Sequence, residues 1–193
     1  PEELHRLGFR VGDFIGVDSQ PEILPNGFIN ARHLDDKAGV AALLAAAKFI
    51  FENDTPVPAP TSLLFTISEE VGSGASAVLS EHIAEMVSID NGTVAPDQAS
   101  REFGVTIAMA DSTGPFDYHL TRHLLHLCRE HRLVHARDVY RHYRSDSASA
   151  LDAGNDTRTA LATFGVDASR GYERTHMDSL VSIAQLAIAY LSG

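Results

Sequence analysis

Two adjacent carboxylates, Glu69 and Glu70, close a short apolar run and precede the turn Gly72-Ser73-Gly74. Neighbouring like charges repel unless protons or cations compensate them. The pair is therefore either a solvated loop or part of a cation site. Two other acidic places share its setting. Asp35-Asp36 follows a strand-like segment and opens a helix-like one, and Asp90 ends the stretch Glu-Met-Val-Ser-Ile-Asp. Taken singly, each acid has an ordinary explanation, such as an aspartate at the positive end of a helix dipole. Gathered at one edge of a sheet, the three would have a common cause in a dinuclear site. Oxygen-rich ligation with one or two imidazoles suits zinc, cobalt or manganese. In such a site one carboxylate bridges, others bind terminally, and one stays free as a base.

The chain offers ten histidines for the imidazole. His119, His123 and His126 share a helical stripe, but Leu120, Leu124 and Leu127 form the neighbouring stripe that should face the core, so these histidines are expected at the solvent boundary. No glutamate follows His119, and the helical zinc-protease pattern is absent. His176, in Gly-Tyr-Glu-Arg-Thr-His-Met-Asp-Ser, falls between the expected last strand and last helix and is better placed, although a flanking histidine without a role has the same appearance. Ser73 and the serines between 145 and 149 lack the spaced glycines of a nucleophile elbow. Cys128 sits among helical leucines and reads as core. A dinucleotide loop is excluded because Ala77 stands where a third glycine would be needed.

Of the 193 residues, 44% are hydrophobic, enough for one globular domain with a real core. With 26 acidic against 15 basic residues the net charge is -11, which argues against a nucleic-acid or anionic-membrane partner. A single cysteine permits no intrachain disulfide and no cysteine-based zinc site, and a reducing, cytoplasmic setting is the default. No apolar run reaches the length of a membrane span, and the first residues lack a signal-peptide layout.

The elements that must position these acids follow from local pattern. Phe9 to Asp18 reads as a strand pair and Gly27 to Leu34 as a short strand. Ala38 to Phe51 reads as a helix so apolar that it should be buried nearly all round. Leu63 to Ile67 predicts a strand buried on both faces, leading directly to Glu69. Ala75 to His82 reads as a short helix, Glu85 to Asp90 and Phe103 to Ala110 as strands, and Asp111 to Pro115 as a loop. Tyr118 to His131 predicts an amphipathic helix, Arg137 to Tyr143 a strand, Arg144 to Gly154 a loop, and Asn155 to Phe164 a helix. Gly165 to Ser169 would be the last strand and Asp178 to Leu191 the last helix. Strands alternating with helices imply an α/β fold with a mixed, mostly parallel sheet covered on both faces.

Ala31-Arg32-His33-Leu34-Asp35-Asp36-Lys37-Ala38-Gly39-Val40, Glu69-Glu70-Val71-Gly72, Ser88-Ile89-Asp90 and Arg174-Thr175-His176 together resemble the glutamyl and deblocking aminopeptidases, dinuclear enzymes known for tetrahedral, dodecameric assemblies. The similarity runs from about residue 9 to the end, and within the family it is nearer to the subgroup associated with bacterial gene clusters for a dipeptide osmoprotectant. It implies a zinc-peptidase-like α/β/α sandwich, a peptide substrate, two divalent metal ions with zinc the first choice, and a homo-oligomer between dimer and dodecamer. By the resemblance, Asp35 bridges the metals through a cis peptide to Asp36, which supports it. Glu70 and His176 complete one metal site, Asp90 serves the other, and Glu69 is the general base that takes a proton from the activated water and passes it to the leaving amine. The family's upstream His-x-Asp element has no counterpart among the 34 residues before Asp35. The chain therefore reads as a carboxy-terminal half, with residues 1–26 a remnant of an inserted β-domain and linker and 27–193 an incomplete catalytic domain, of little or no activity alone. Two alternatives stand beside the aminopeptidase: a dinuclear carboxypeptidase or deacylase, and a non-catalytic assembly module that keeps the fold.

Overall fold

The computed structural model describes all of residues 1–193 and contains two sheets. After a short helix α1 (Glu2–Arg6), residues 7–21 run without regular structure and largely exposed, so the expected strand pair over Phe9 to Asp18 does not form. The glycines at 8, 12 and 16 interrupt any pairing there, and Gly8 and Gly12 adopt positive φ. Strands β1 (Glu22–Ile23) and β2 (Phe28–Ala31) form a small antiparallel sheet with β8 (Glu173–His176).

The main sheet contains β3 (Glu85–Thr93), β4 (Val105–Asp111), β5 (Gly114–Pro115), β6 (His135–Val139) and β7 (Arg158–Val166). Its order is β3-β7-β4-β5, with β6 on β4. The β3–β7 and β4–β6 pairs are parallel, while β4–β7 and β4–β5 are antiparallel. The sheet is mixed, as expected, with the two kinds of pair equal in number.

The central strand β7 occupies the stretch whose pattern suggested a helix. Residues Thr159–Val166 are all buried, because β7 has a neighbour on each edge and a packed layer on each face. Alternation nevertheless sorts its side chains. Ala160, Ala162, Phe164 and Val166 join the large core formed with α2 (Leu34–Glu52), α3 (Tyr118–Glu130) and α5 (Met177–Ser192). Leu161 points the other way, to Ala108, Phe116 and Tyr140. On that second side the polar stretch expected to be a loop forms α4 (Asp146–Asp152). Its small residues Ser147 to Ala150 are buried, and the Ser147 hydroxyl bonds the Ser88 hydroxyl of β3 at 2.7 Å. Layers of helix cover both faces of the sheet.

Helix α2 differs from the expectation of all-round burial. Ala38, Ala42 and Ala46 form a buried stripe, while Leu44, Phe49 and Phe51 are exposed on other faces. The predicted strand over Leu63 to Ile67 is also absent. Residues 61–67 are irregular and make no hydrogen bond between main-chain groups, because no strand of this chain lies alongside to pair with them. The short helix expected from Ala75 to His82 is reduced to a 3-10 turn at Gly74–Ser76, preceded by another at Glu69–Val71. The last predicted strand starts eight residues early, since Gly165 and Val166 end β7 and the final strand is β8. Helix α3 buries its leucines and leaves His119, His123 and His126 exposed, as the stripes predicted, and Cys128 is wholly buried. No helix is long and apolar enough to cross a membrane.

Candidate metal centre

Three elements deliver the acids. Strand β2 runs antiparallel to β8, with Ala31 opposite Glu173 and Phe28 opposite His176, and its exit passes through His33 in a left-handed conformation to Asp35 and Asp36. Neither aspartate has helical backbone angles, and the peptide between them is cis. Strand β3 carries Asp90, opposite Thr163 of the central strand. Asp35, Asp36 and Asp90 thereby meet, with one carboxylate oxygen of each lying within 4.8 Å of the others. Gly39, one turn into α2, makes room for this. A Cβ there would collide with the Asp36 carboxylate.

The electrostatics follow from that crowding. Burial pushes the Asp35 carboxyl from 3.8 up to about 6, reinforced by the charge of Glu70 and opposed by an Asn91 hydrogen bond and the charge of Arg170. Asp36 and Asp90 are held well above the usual carboxylate range, first by burial and then by the neighbouring aspartates. Burial, with Glu70, Asp146 and Asp35 adding repulsion, raises Glu69 from 4.5 to about 7. Several polar atoms in the same region are left over. Asp36 Oδ1, Asn91 Oδ1 and the Tyr143 hydroxyl, which lies beside Asp90, are buried without a well-formed hydrogen bond. A nest of protonatable oxygens with unused lone pairs is what a hard or borderline divalent cation satisfies, so the residues present fit a metal.

Glu70 and His176 lie outside the three-acid cluster. Glu70 is exposed and pairs with Arg170 at 2.9 Å, on the loop between β7 and β8. His176 is buried between Phe28 and Phe103, whose ring centroids lie 4.9 and 4.4 Å away. Its Nε2 stands 2.9 Å from the Asn26 carbonyl oxygen, and its Nδ1 accepts from the Asp178 N–H and caps α5. Gly27, at φ 90, keeps clear of this ring, which any Cβ there would strike. Between the turn at 32–35 and the loop at 170–173 lies a cavity of about 350 Å³, lined by Arg32, His33, Asp35, Glu70, Arg170 and Glu173 among others.

Sequence reasoning did not single out Asn91, Tyr143, Arg170 or Glu173 as members of this neighbourhood. Asn91 follows Asp90 directly and donates its N–H to Asp90 Oδ1 at 2.7 Å, and that adjacency was a usable signal. Glu173 lies three residues before His176, on a strand that local pattern did not reveal.

The M42 glutamyl aminopeptidase family model matches residues 1–186. YhfE of Bacillus subtilis strain 168, to which an aminopeptidase role is attributed, is 37% identical over 190 residues, covering 98% of this chain and 55% of that protein. The chain thus spans about half the length of its curated relative. Among solved structures, the TET aminopeptidase of a marine-sediment thaumarchaeote superposes with a TM-score of 0.80 at 17% identity, over 99% of this chain and 57% of that one. The TET1 peptidase of Pyrococcus horikoshii, described as able to assemble into a tetrahedron or a large octahedral shell, has a TM-score of 0.74 at 19% identity, over 89% of this chain and 52% of that one. At such identities these two likenesses establish the fold. Family match and sequence identity together make this chain a member of the M42 glutamyl aminopeptidase family.

Proposed function

We propose that the whole protein is a metal-dependent aminopeptidase, that residues 27–193 belong to its catalytic domain, and that residues 1–26 are the remnant of an inserted β-domain and linker. The observation that carries this reading is the convergence of Asp35, Asp36 and Asp90 within 4.8 Å, with Glu69 near enough for its charge to act on Asp36 and Asp90. Asp35, Glu70, Asp90 and His176 would hold two divalent ions, zinc in the first place and cobalt or manganese as alternatives, with Asp36 supporting Asp35. When bound, the ions supply Lewis acidity that acidifies water and polarises a scissile carbonyl.

The chain's own residues do the rest. Glu69 is half-buried beside the acid cluster and is tied up by no salt bridge, so its carboxylate is the group free to take a proton from water and return it to a leaving amine. Arg170 holds Glu70 and offsets part of the negative charge around the site. The cavity beside Asp35 gives the amino end of a peptide room to lie against the carboxylates of Asp35 and Glu70. His176 would serve the site through Nε2, the ring nitrogen that here faces the Asn26 carbonyl oxygen. A homo-oligomer is part of the proposal, by analogy with the assembly described for the Pyrococcus enzyme.

The test is turnover by the whole protein of peptides with free and with blocked amino ends, before and after chelation. Cleavage confined to free amino ends and abolished by chelator is expected. The change Glu69→Gln should abolish turnover yet leave metal bound. Cleavage indifferent to chelator, or full activity in Glu69→Gln, would refute the reading.

A further inference from the structure

Glu173 is 1% exposed and belongs to no salt bridge, although a buried carboxylate is costly unless its oxygens are satisfied. Both oxygens are satisfied by main chain. Oε2 accepts the N–H of Asp35 at 3.0 Å, and Oε1 accepts the N–H of Arg170 at 2.8 Å. These two donors belong to segments 135 residues apart in sequence. One begins the turn that presents Asp35 and Asp36, and the other lies in the loop whose Arg170 side chain binds Glu70. Register on β8 sets the reach, because Glu173 stands opposite Ala31, just before the turn that leads to Asp35.

We propose that Glu173 is a positioning residue. Its carboxylate ties the Asp35-Asp36 turn to the Arg170 loop, so that Asp35, held through its main chain, and Glu70, held through the Arg170 side chain, present their oxygens to the same bound cation. This rests on the reading of the acid cluster as a metal centre. The side chain itself touches no reacting atom. Its effect passes through the main chain of Asp35 and through the arginine that holds Glu70, the indirect support that commonly sets ligand orientation in metal sites. Glutamine in its place keeps one acceptor oxygen but turns an amide NH₂ toward a main-chain N–H, so one of the two ties is lost. Aspartate is one methylene short of spanning both donors.

The experiment is a Co²⁺ titration of the whole protein and of Glu173→Gln, followed by the visible absorption of the bound ion and by equilibrium dialysis, with circular dichroism as the check on folding. The expected result is a folded variant whose Co²⁺ affinity falls roughly 10–100-fold and whose absorption band is altered, with turnover partly restored by excess metal. A folded Glu173→Gln with unchanged affinity and spectrum overturns the proposal while leaving the metal centre standing. If the unmodified protein takes up no Co²⁺, the metal centre and this proposal fall together. Should Glu173→Gln lose its folded signal, the same titration of Glu173→Asp decides between the same outcomes.

Discussion

Without a cation, the acid cluster should make this protein less stable as pH rises through neutrality. Asp35 is raised from 3.8 to about 6 and Glu69 from 4.5 to about 7, so the folded chain keeps protons that the unfolded chain has released. The stability these groups contribute is complete below about pH 4 and is lost as pH climbs through the raised values, because the unfolded state binds fewer protons throughout that window. At about 1.4 kcal/mol per tenfold change in proton affinity, each carboxyl would account for roughly 3 kcal/mol if it were dry. Both are only half-buried, and water screens part of the repulsion, which brings the expected loss to about 2 kcal/mol between pH 5 and 8. A saturating divalent ion replaces the protons and should flatten the curve. Urea denaturation across that pH range, with chelator and with added zinc, measures both arms. Stability in chelator that is level or rises from pH 5 to 8 would refute the electrostatic account of the cluster.

Gly39→Ala should weaken cation binding about 10-fold or more, since its methyl meets the Asp36 carboxylate, and equilibrium dialysis reads this directly. Helix propensity alone would make the same change stabilising by about 1 kcal/mol, so its thermal midpoint separates the two effects. Phe164→Ala removes a wholly buried ring from the central strand and should cost about 3–5 kcal/mol in chemical denaturation. Cys128 is fully buried and its thiol is pushed up to about 11 by that burial, so a thiol reagent at pH 8 should label it only after denaturant unfolds the chain.

What could be read from sequence divides along physical lines. Helices α3 and α5 have one apolar face and one polar face, and their periodicity placed both within a residue or two. Strands β3 and β4 are short apolar runs ending on acids and turns, and they too were legible, Asp90 included. The failures share a cause in partners distant along the chain. Strand β7 is buried on both faces, which removes the alternation that separates a strand from a helix, and its alanines favour helix while its threonines favour strand. Helix α4 is rich in serine, and only its tight fit against β3 makes those residues core. Residues 61–67 have the composition of a strand, yet strand formation requires an edge to pair with, and no local pattern supplies one. For the site, local pattern flagged each acid, and the fold brings Asp35, Asp36 and Asp90 together. The supporting contacts of Glu173, Arg170 and Tyr143 depend on register between β2 and β8 and on loop geometry, neither of which a single sequence spells out.

The central claim is that these carboxylates hold divalent cations. Its most direct test is the metal content of the whole protein after equilibrium dialysis against dilute zinc, compared with Asp35→Asn and Asp90→Asn. Stoichiometric zinc in the unmodified protein, sharply reduced in both variants, is the predicted result. A protein that retains no zinc, or variants that retain as much as the original, would contradict it.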